Sequence, residues 1–181
     1  MRGVVGGRGP GRALVSCSLV VRLLGGVAAH ADGSAGGHAR GAPRPGAALE
    51  DKIPELKLAR LGARERLGDP ECQAVLADFQ SVNGGRLDLV LRSTGRTAQE
   101  QLDLLVLESG LGRPLCDRRV SMAFTRIGSP EVSICLRPFT LLPQPMQEAV
   151  LIHEMLHSLG LGENPPESVA ITTQVLKRCG H

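Results

Sequence analysis

Between Met146 and Leu159 lies a segment that a folded chain can accommodate in few ways. Ala149, Ile152, Leu156 and Leu159 recur at helical spacing, and Leu151 and Met155 widen the apolar surface to most of the circumference. A helix apolar on nearly all sides has to be buried, with other elements packed around it. Pro143 and Pro145 announce its start, and Gly160 and Gly162 stop it. The same segment carries His153, Glu154 and His157. The histidines, four apart, project from one face a turn from each other, with Glu154 adjacent. Any fold of this chain must therefore bury two imidazoles and a carboxylate, a cost of several kcal/mol unless they find partners.

Two imidazoles so placed can grip one metal ion. Zinc suits nitrogen ligands at about 2.0 to 2.1 Å, and a catalytic zinc takes three protein ligands and leaves a position for water. Glu154, beside the first ligand, is then placed as general base for a water attacking a carbonyl, the chemistry of amide hydrolysis. The alternative is a core helix whose histidines merely hydrogen-bond; it must still bury Glu154, for which the sequence names no cationic partner.

The run Val150-Leu151-Ile152-His153-Glu154-Met155-Leu156-His157-Ser158-Leu159-Gly160 resembles the active-site helix of the zincin metallopeptidases. The resemblance covers the last third of the chain. It implies a zinc peptidase in which His153 and His157 are ligands, Glu154 is the catalytic base, and one Zn2+ is bound per chain. It also implies that a strand before the helix lies along the cleft and holds the substrate backbone, a part for which Val132–Arg137 has the right order and distance. The turn at Gly160 is similar to the His-Glu-x-x-His-x-x-Gly-x-x-His form of metzincins. The third-ligand position there is filled here by Glu163, with Glu167 in reserve; the alternative for Glu163 is a solvated acid near the positive end of the final helix. No Met follows Met155, so the metzincin Met-turn is absent and this is not a proper metzincin. No Tyr occurs to steady an oxyanion, and Asn164, Arg137 and Arg178 are the remaining polar candidates. His30, His38 and His181 read as solvated.

Elsewhere the spacing predicts helices near residues 53–67 and 70–82, and one after Thr97, whose pairing with Glu100 makes a capping box. Residues 86–92 fit helix or strand. Val120–Ile127 and Val132–Leu136, separated by Gly128-Ser129-Pro130, read as two antiparallel strands. A last helix is expected from a cap at Asn164, through Pro165 at its first position, to Cys179. The fold class this implies is α+β and zincin-like, a small antiparallel sheet packed on the buried metal helix with additional helices around.

The 181 residues suffice for one domain. The domain is expected over residues 50–181, after a leader and a disordered linker (32–49) rich in Gly, Ala, Arg and Pro. Arg2, Arg8 and Arg12, the apolar run Ala13–Ala28 and the small residues Ala29 and Ala31 make residues 1–31 resemble an export signal. Cys17 imitates a lipoprotein box, but its apolar run mostly follows it, so no lipid anchor is expected. With Cys17 in the leader, Cys72, Cys116, Cys135 and Cys179 remain, with no Cys-x-x-Cys pair. Two disulfides in a secreted or periplasmic domain is the simplest reading; reduced core cysteines in a cytoplasmic protein is the alternative if the leader is no signal. Three pairings are open. Cys116 with Cys135, which flank one strand region, is favoured, leaving Cys72 for Cys179. The net charge of +3 resides in the leader, and with no Trp, no Tyr and three Phe there is little for nucleic acid to stack on. Nucleic acid is not expected as a partner, and no apolar run is long enough to span a membrane. The expected partner is a peptide or protein substrate. Two other readings compete: a zinc-binding domain without turnover, and a disulfide-stapled secreted interaction domain.

Overall fold

The computed structural model describes residues 47–118 and 121–180. The expected export leader, most of the expected linker, Cys17, His30, His38 and His181 lie outside these residues. The elements run α1 (Ala47–Glu50), α2 (Pro54–Arg66), α3 (Pro70–Gln73), α4 (Val75–Asp78), α5 (Leu87–Ser93), α6 (Ala98–Asp103), β1 (Val106–Ser109), α7 (Pro114–Asp117), β2 (Ala123–Thr125), β3 (Glu131–Ile134), α8 (Leu136–Thr140), α9 (Gln144–Ser158) and α10 (Ser168–Cys179). The class is mixed α and β. Helical structure begins at Ala47, inside the expected linker, and residues 86–92 resolve as helix.

Every residue of α9 from Gln147 to His157 is buried, as its near-continuous apolar surface requires. Helix α2 starts on Pro54 at its first turn and lays the stripe Leu56, Ala59 and Ala63 against the core. Its small residues allow close approach to α9, and a Cβ on Gly62 would overlap the Glu148 carboxylate. That buried carboxylate is paired with Arg66 and accepts from Gln144 Nε2 at 3.0 Å. The Thr97–Glu100 capping box is present at the start of α6, and from this helix Gln101 Nε2 donates to Ser158 Oγ of α9 at 3.1 Å. Helix α10 buries Ile171, Val175 and Cys179 and also packs on α9. Its outer face is tied to α4, with Arg178 donating twice to Asp78 (2.8 and 2.9 Å) and Gln174 once (2.6 Å).

The sheet corrects an expectation. It is not wholly antiparallel: the order is β1-β3-β2, with β2 antiparallel to β3 (Thr125 opposite Val132) and β1 parallel to β3 (Leu107 opposite Val132). The two strands around Gly128-Ser129-Pro130 pair as expected, but β1 has no local signal. Its four residues follow α6 after two residues, and its partner lies beyond a long crossover.

Two helices also differ. The stretch 70–82 breaks at Ala74 into α3 and α4, and at Phe79 the chain becomes extended. The last helix starts at Ser168, not Pro165. Asn164 adopts φ 60° and donates its N–H to Pro166 O at 2.8 Å, so Asn164-Pro165-Pro166 is a turn. A residue before proline is pushed out of the helical region, and Asn tolerates the left-handed one. The cysteines lie at disulfide distance in two pairs, Cys72 with Cys179 (Cα separation 4.4 Å) and Cys116 with Cys135 (4.9 Å). No described helix is long and apolar enough to cross a membrane.

Candidate metal centre

The end of α9 shapes everything around the two histidines. Leu161 N–H bonds to Leu156 O (3.1 Å) and Gly160 N–H to His157 O (2.9 Å), the paired bonds of a Schellman turn. Gly160 takes φ 100°, and Leu161 and Leu156 are both buried in the core. This reversal sends the chain back along α9. It brings Leu161 O within 2.8 Å of His157 Nδ1 and lays Glu163 over the histidine pair.

Both imidazoles are 5% exposed. His157 Nδ1 faces a carbonyl, which can only accept, so that nitrogen carries the proton and Nε2 keeps a lone pair. His153 Nδ1 lies 2.9 Å from Thr172 Oγ1 on α10. The two Nε2 atoms face each other at 2.9 Å, and Glu163 Oε1 is 3.5 Å from one and 3.4 Å from the other. Burial first, and the neighbouring His157 second, push His153 down to about 4, so its ring is neutral at pH 7 with a lone pair to offer. Tetrahedral zinc with ligands at about 2.0 to 2.1 Å separates its donors by about 3.3 Å. The observed triangle of 2.9, 3.4 and 3.5 Å has nearly those edges, the short one being a direct contact between the rings. Nitrogen, nitrogen and carboxylate oxygen are a donor set zinc accepts. His153, His157 and Glu163 could thus hold a metal ion, and they form the one such group among the described residues. Glu167, the reserve ligand, sits exposed before α10 and is outside it.

Glu154 is 4% exposed and faces β2. Its carboxylate accepts the backbone N–H of Thr125, while Oε2 has no hydrogen-bond partner. Burial, with the Glu163 carboxylate adding to it, pushes Glu154 up to about 8 against the opposing effect of the Thr125 N–H. A buried carboxylate this incompletely satisfied is costly in a plain core. A divalent cation at the histidine pair would favour its charged form.

The expected substrate strand is misplaced. Strand β3, which shares residues 132–134 with that stretch, is central and paired on both sides; the edge nearest α9 belongs to β2. Arg178 is committed to Asp78, and Arg137 lies exposed on α8 beside the Cys116–Cys135 pair. Asn164 is exposed next to Glu163. Sequence reasoning missed Thr172 and Thr125, which reach the site from other elements and leave no local signal. Comparisons with protein-family models, with curated proteins and with solved structures each found no match.

Proposed function

We propose that this chain is a zinc-dependent metallopeptidase of zincin-like fold, working outside the cytoplasm on a peptide or protein substrate. The observation that carries the reading is the convergence of His153 Nε2, His157 Nε2 and Glu163 Oε1 beside a buried carboxylate, Glu154, with a free oxygen. His153, His157 and Glu163 hold the ion. When bound, zinc supplies Lewis acidity, polarising the substrate carbonyl and lowering the pKa of water towards about 7. Glu154 takes the proton of the attacking water at Oε2 and passes it to the departing amine. The Thr125 backbone N–H favours the charged form of this base. An acid at position 154 favours turnover over mere metal binding, since a zinc site needs no carboxylate there. The two cysteine pairs are compatible with an oxidising compartment.

Metal analysis of the purified full chain tests this directly. About one zinc per chain is expected, lost in His153→Ala and held more weakly in Glu163→Ala. Glu154→Gln should keep the metal and abolish cleavage of an unfolded protein substrate. A wild-type chain that stays metal-free after zinc addition overturns the reading. Unchanged cleavage by Glu154→Gln removes the role given to that residue.

A further inference from the structure

Resting on the peptidase reading above, we infer that Val82 and Ile127 form an apolar wall of the cleft. This wall selects peptides that carry an aliphatic side chain beside the bond to be cut.

Three chain segments meet at the C-terminal end of α9. Thr125, the last residue of β2, gives its N–H to the Glu154 carboxylate, and Gly128 donates its N–H to His157 O at 2.8 Å. Ile127 lies between these two contacts in the chain, hence beside the base and the second histidine. From another direction Gly162 leads into Glu163, whose Oε1 is 3.5 and 3.4 Å from the two imidazole nitrogens. The third segment is the turn after α4, where Val82 N–H donates to Gly160 O at 2.9 Å and Ser81 pairs with Leu161 in an antiparallel bridge. The segments touch at Gly162. A Cβ placed on it would come within 2.8 Å of Val82 Cγ1 and 4.0 Å of Ile127 Cδ1. The missing side chain thus lets both aliphatic groups reach over the backbone that delivers Glu163.

Both groups also meet water, Val82 being 62% and Ile127 51% exposed. Single exposed aliphatics are commonplace. This pair differs in that hydrogen bonds to the end of α9 fix its two segments, and in that it stands next to the reactive atoms. Val and Ile are β-branched and stiff at χ1, so little rotamer freedom is lost when something packs on them. The charged side chains nearest to them in sequence are turned to partners of their own, Arg126 to Glu131 at 3.5 Å and Arg86 to Asp88 at 2.8 Å. An aliphatic substrate side chain laid on the pair takes apolar surface of both out of water, which is favourable in proportion to its area. A carboxylate or ammonium laid there would shed water against methyl groups, which offer it no hydrogen bond.

The test puts the zinc-loaded full chain on a denatured, alkylated protein mixture and reads the cut positions from the new termini by mass spectrometry. In wild type, Leu, Ile, Val and Met should adjoin the cut bond, on one side of it, about 10-fold more often than Asp, Glu, Lys and Arg, the lower end of what an apolar subsite discriminates. Val82→Ser and Ile127→Ser should each lower that ratio, and the double variant should bring it within about threefold of unity while keeping its zinc. Binding supplies a readout without turnover. Fluorescein-labelled hexapeptides differing only in a central Leu or Asp, titrated by anisotropy into zinc-loaded Glu154→Gln, should differ about 10-fold in Kd, and less than about threefold once both serines are added. Wild-type cuts with no aliphatic enrichment overturn the inference and leave the peptidase standing, and so does an enrichment that the double serine variant keeps. No cuts at all overturns the peptidase reading and this inference together. The wild-type cut profile and the Leu–Asp comparison need neither serine variant, so a variant that fails to fold does not shield the inference.

Discussion

The two cysteine pairs close loops of very different length, and this yields a quantitative expectation. Cys72 and Cys179 are 107 residues apart, Cys116 and Cys135 only 19. A cross-link stabilises chiefly by restricting the unfolded chain, roughly as a constant plus 1.5R ln n in entropy, giving about 4.8 kcal/mol at 25 °C for the long loop and about 3.2 kcal/mol for the short one. Cys72 and Cys179 are both buried, whereas Cys116 is half-buried, so cavity costs on replacement by Ala add in the same direction. Equilibrium urea unfolding of the oxidised full chain, Cys72→Ala/Cys179→Ala and Cys116→Ala/Cys135→Ala should therefore order them with the long-loop variant least stable. The gap between the two variants should be at least about 1.5 kcal/mol. A short-loop variant that loses as much as the long-loop one would refute the loop argument. An oxidised wild type in which Cys72, Cys116, Cys135 and Cys179 all react with an alkylating reagent when unfolded would refute the pairings themselves.

Three further outcomes follow from single contacts. Gly160→Ala should cost about 1–2 kcal/mol in urea unfolding, because φ 100° is strained for any residue with a Cβ and Ser81 Cβ would sit 3.3 Å away; an unchanged midpoint would remove the turn's claimed dependence on glycine. Arg66→Ala should cost about 3 kcal/mol by leaving the Glu148 carboxylate buried beside Gln144 alone, and adding Glu148→Gln should recover part of the loss; a double variant no better than the single one contradicts this. Asp78→Asn should cost about 1 kcal/mol at pH 7. The Arg178 hydrogen bond, foremost, holds the Asp78 carboxyl below its ordinary 3.8. The stability it lends is thus present above that value and lost as the pH falls through the lower folded value. Unfolding curves of wild type and variant should converge towards pH 2, and a gap independent of pH would contradict the pairing.

What was legible in the sequence was local. The spacing of His153, Glu154 and His157 and the apolar residues between them specify a buried helix, and the Thr97 capping box needs only four residues. Glu163 was reachable only through the resemblance to the metzincin pattern, which places a third ligand six residues after His157 beyond a turn at glycine. The parts that escaped are those decided by distant chain. Val106–Ser109 becomes a strand only because β3 lies beside it, and Asn164-Pro165-Pro166 offers a helix-start pattern that the backbone limits of the two prolines override. Nothing in the residues around Thr172 or Thr125 says that α10 and β2 will carry them to α9.

That division bears on how the polar groups of α9 are to be understood. A core that tolerated two histidines and a glutamate would satisfy each of them separately, since an unpaired buried polar atom costs about 1–3 kcal/mol. Here each side chain is satisfied on one side only, by a group from a different segment: Leu161 O for His157, Thr172 for His153, the Thr125 N–H for Glu154. On the other side Nε2 meets Nε2, with Glu163 against both, and Glu154 Oε2 has nothing. Three independent segments orient the three groups and leave their reactive atoms unspent. Unpaired polar capacity held at some cost in stability is what a functional site carries, and it is the arrangement the proposed zinc site and its base require.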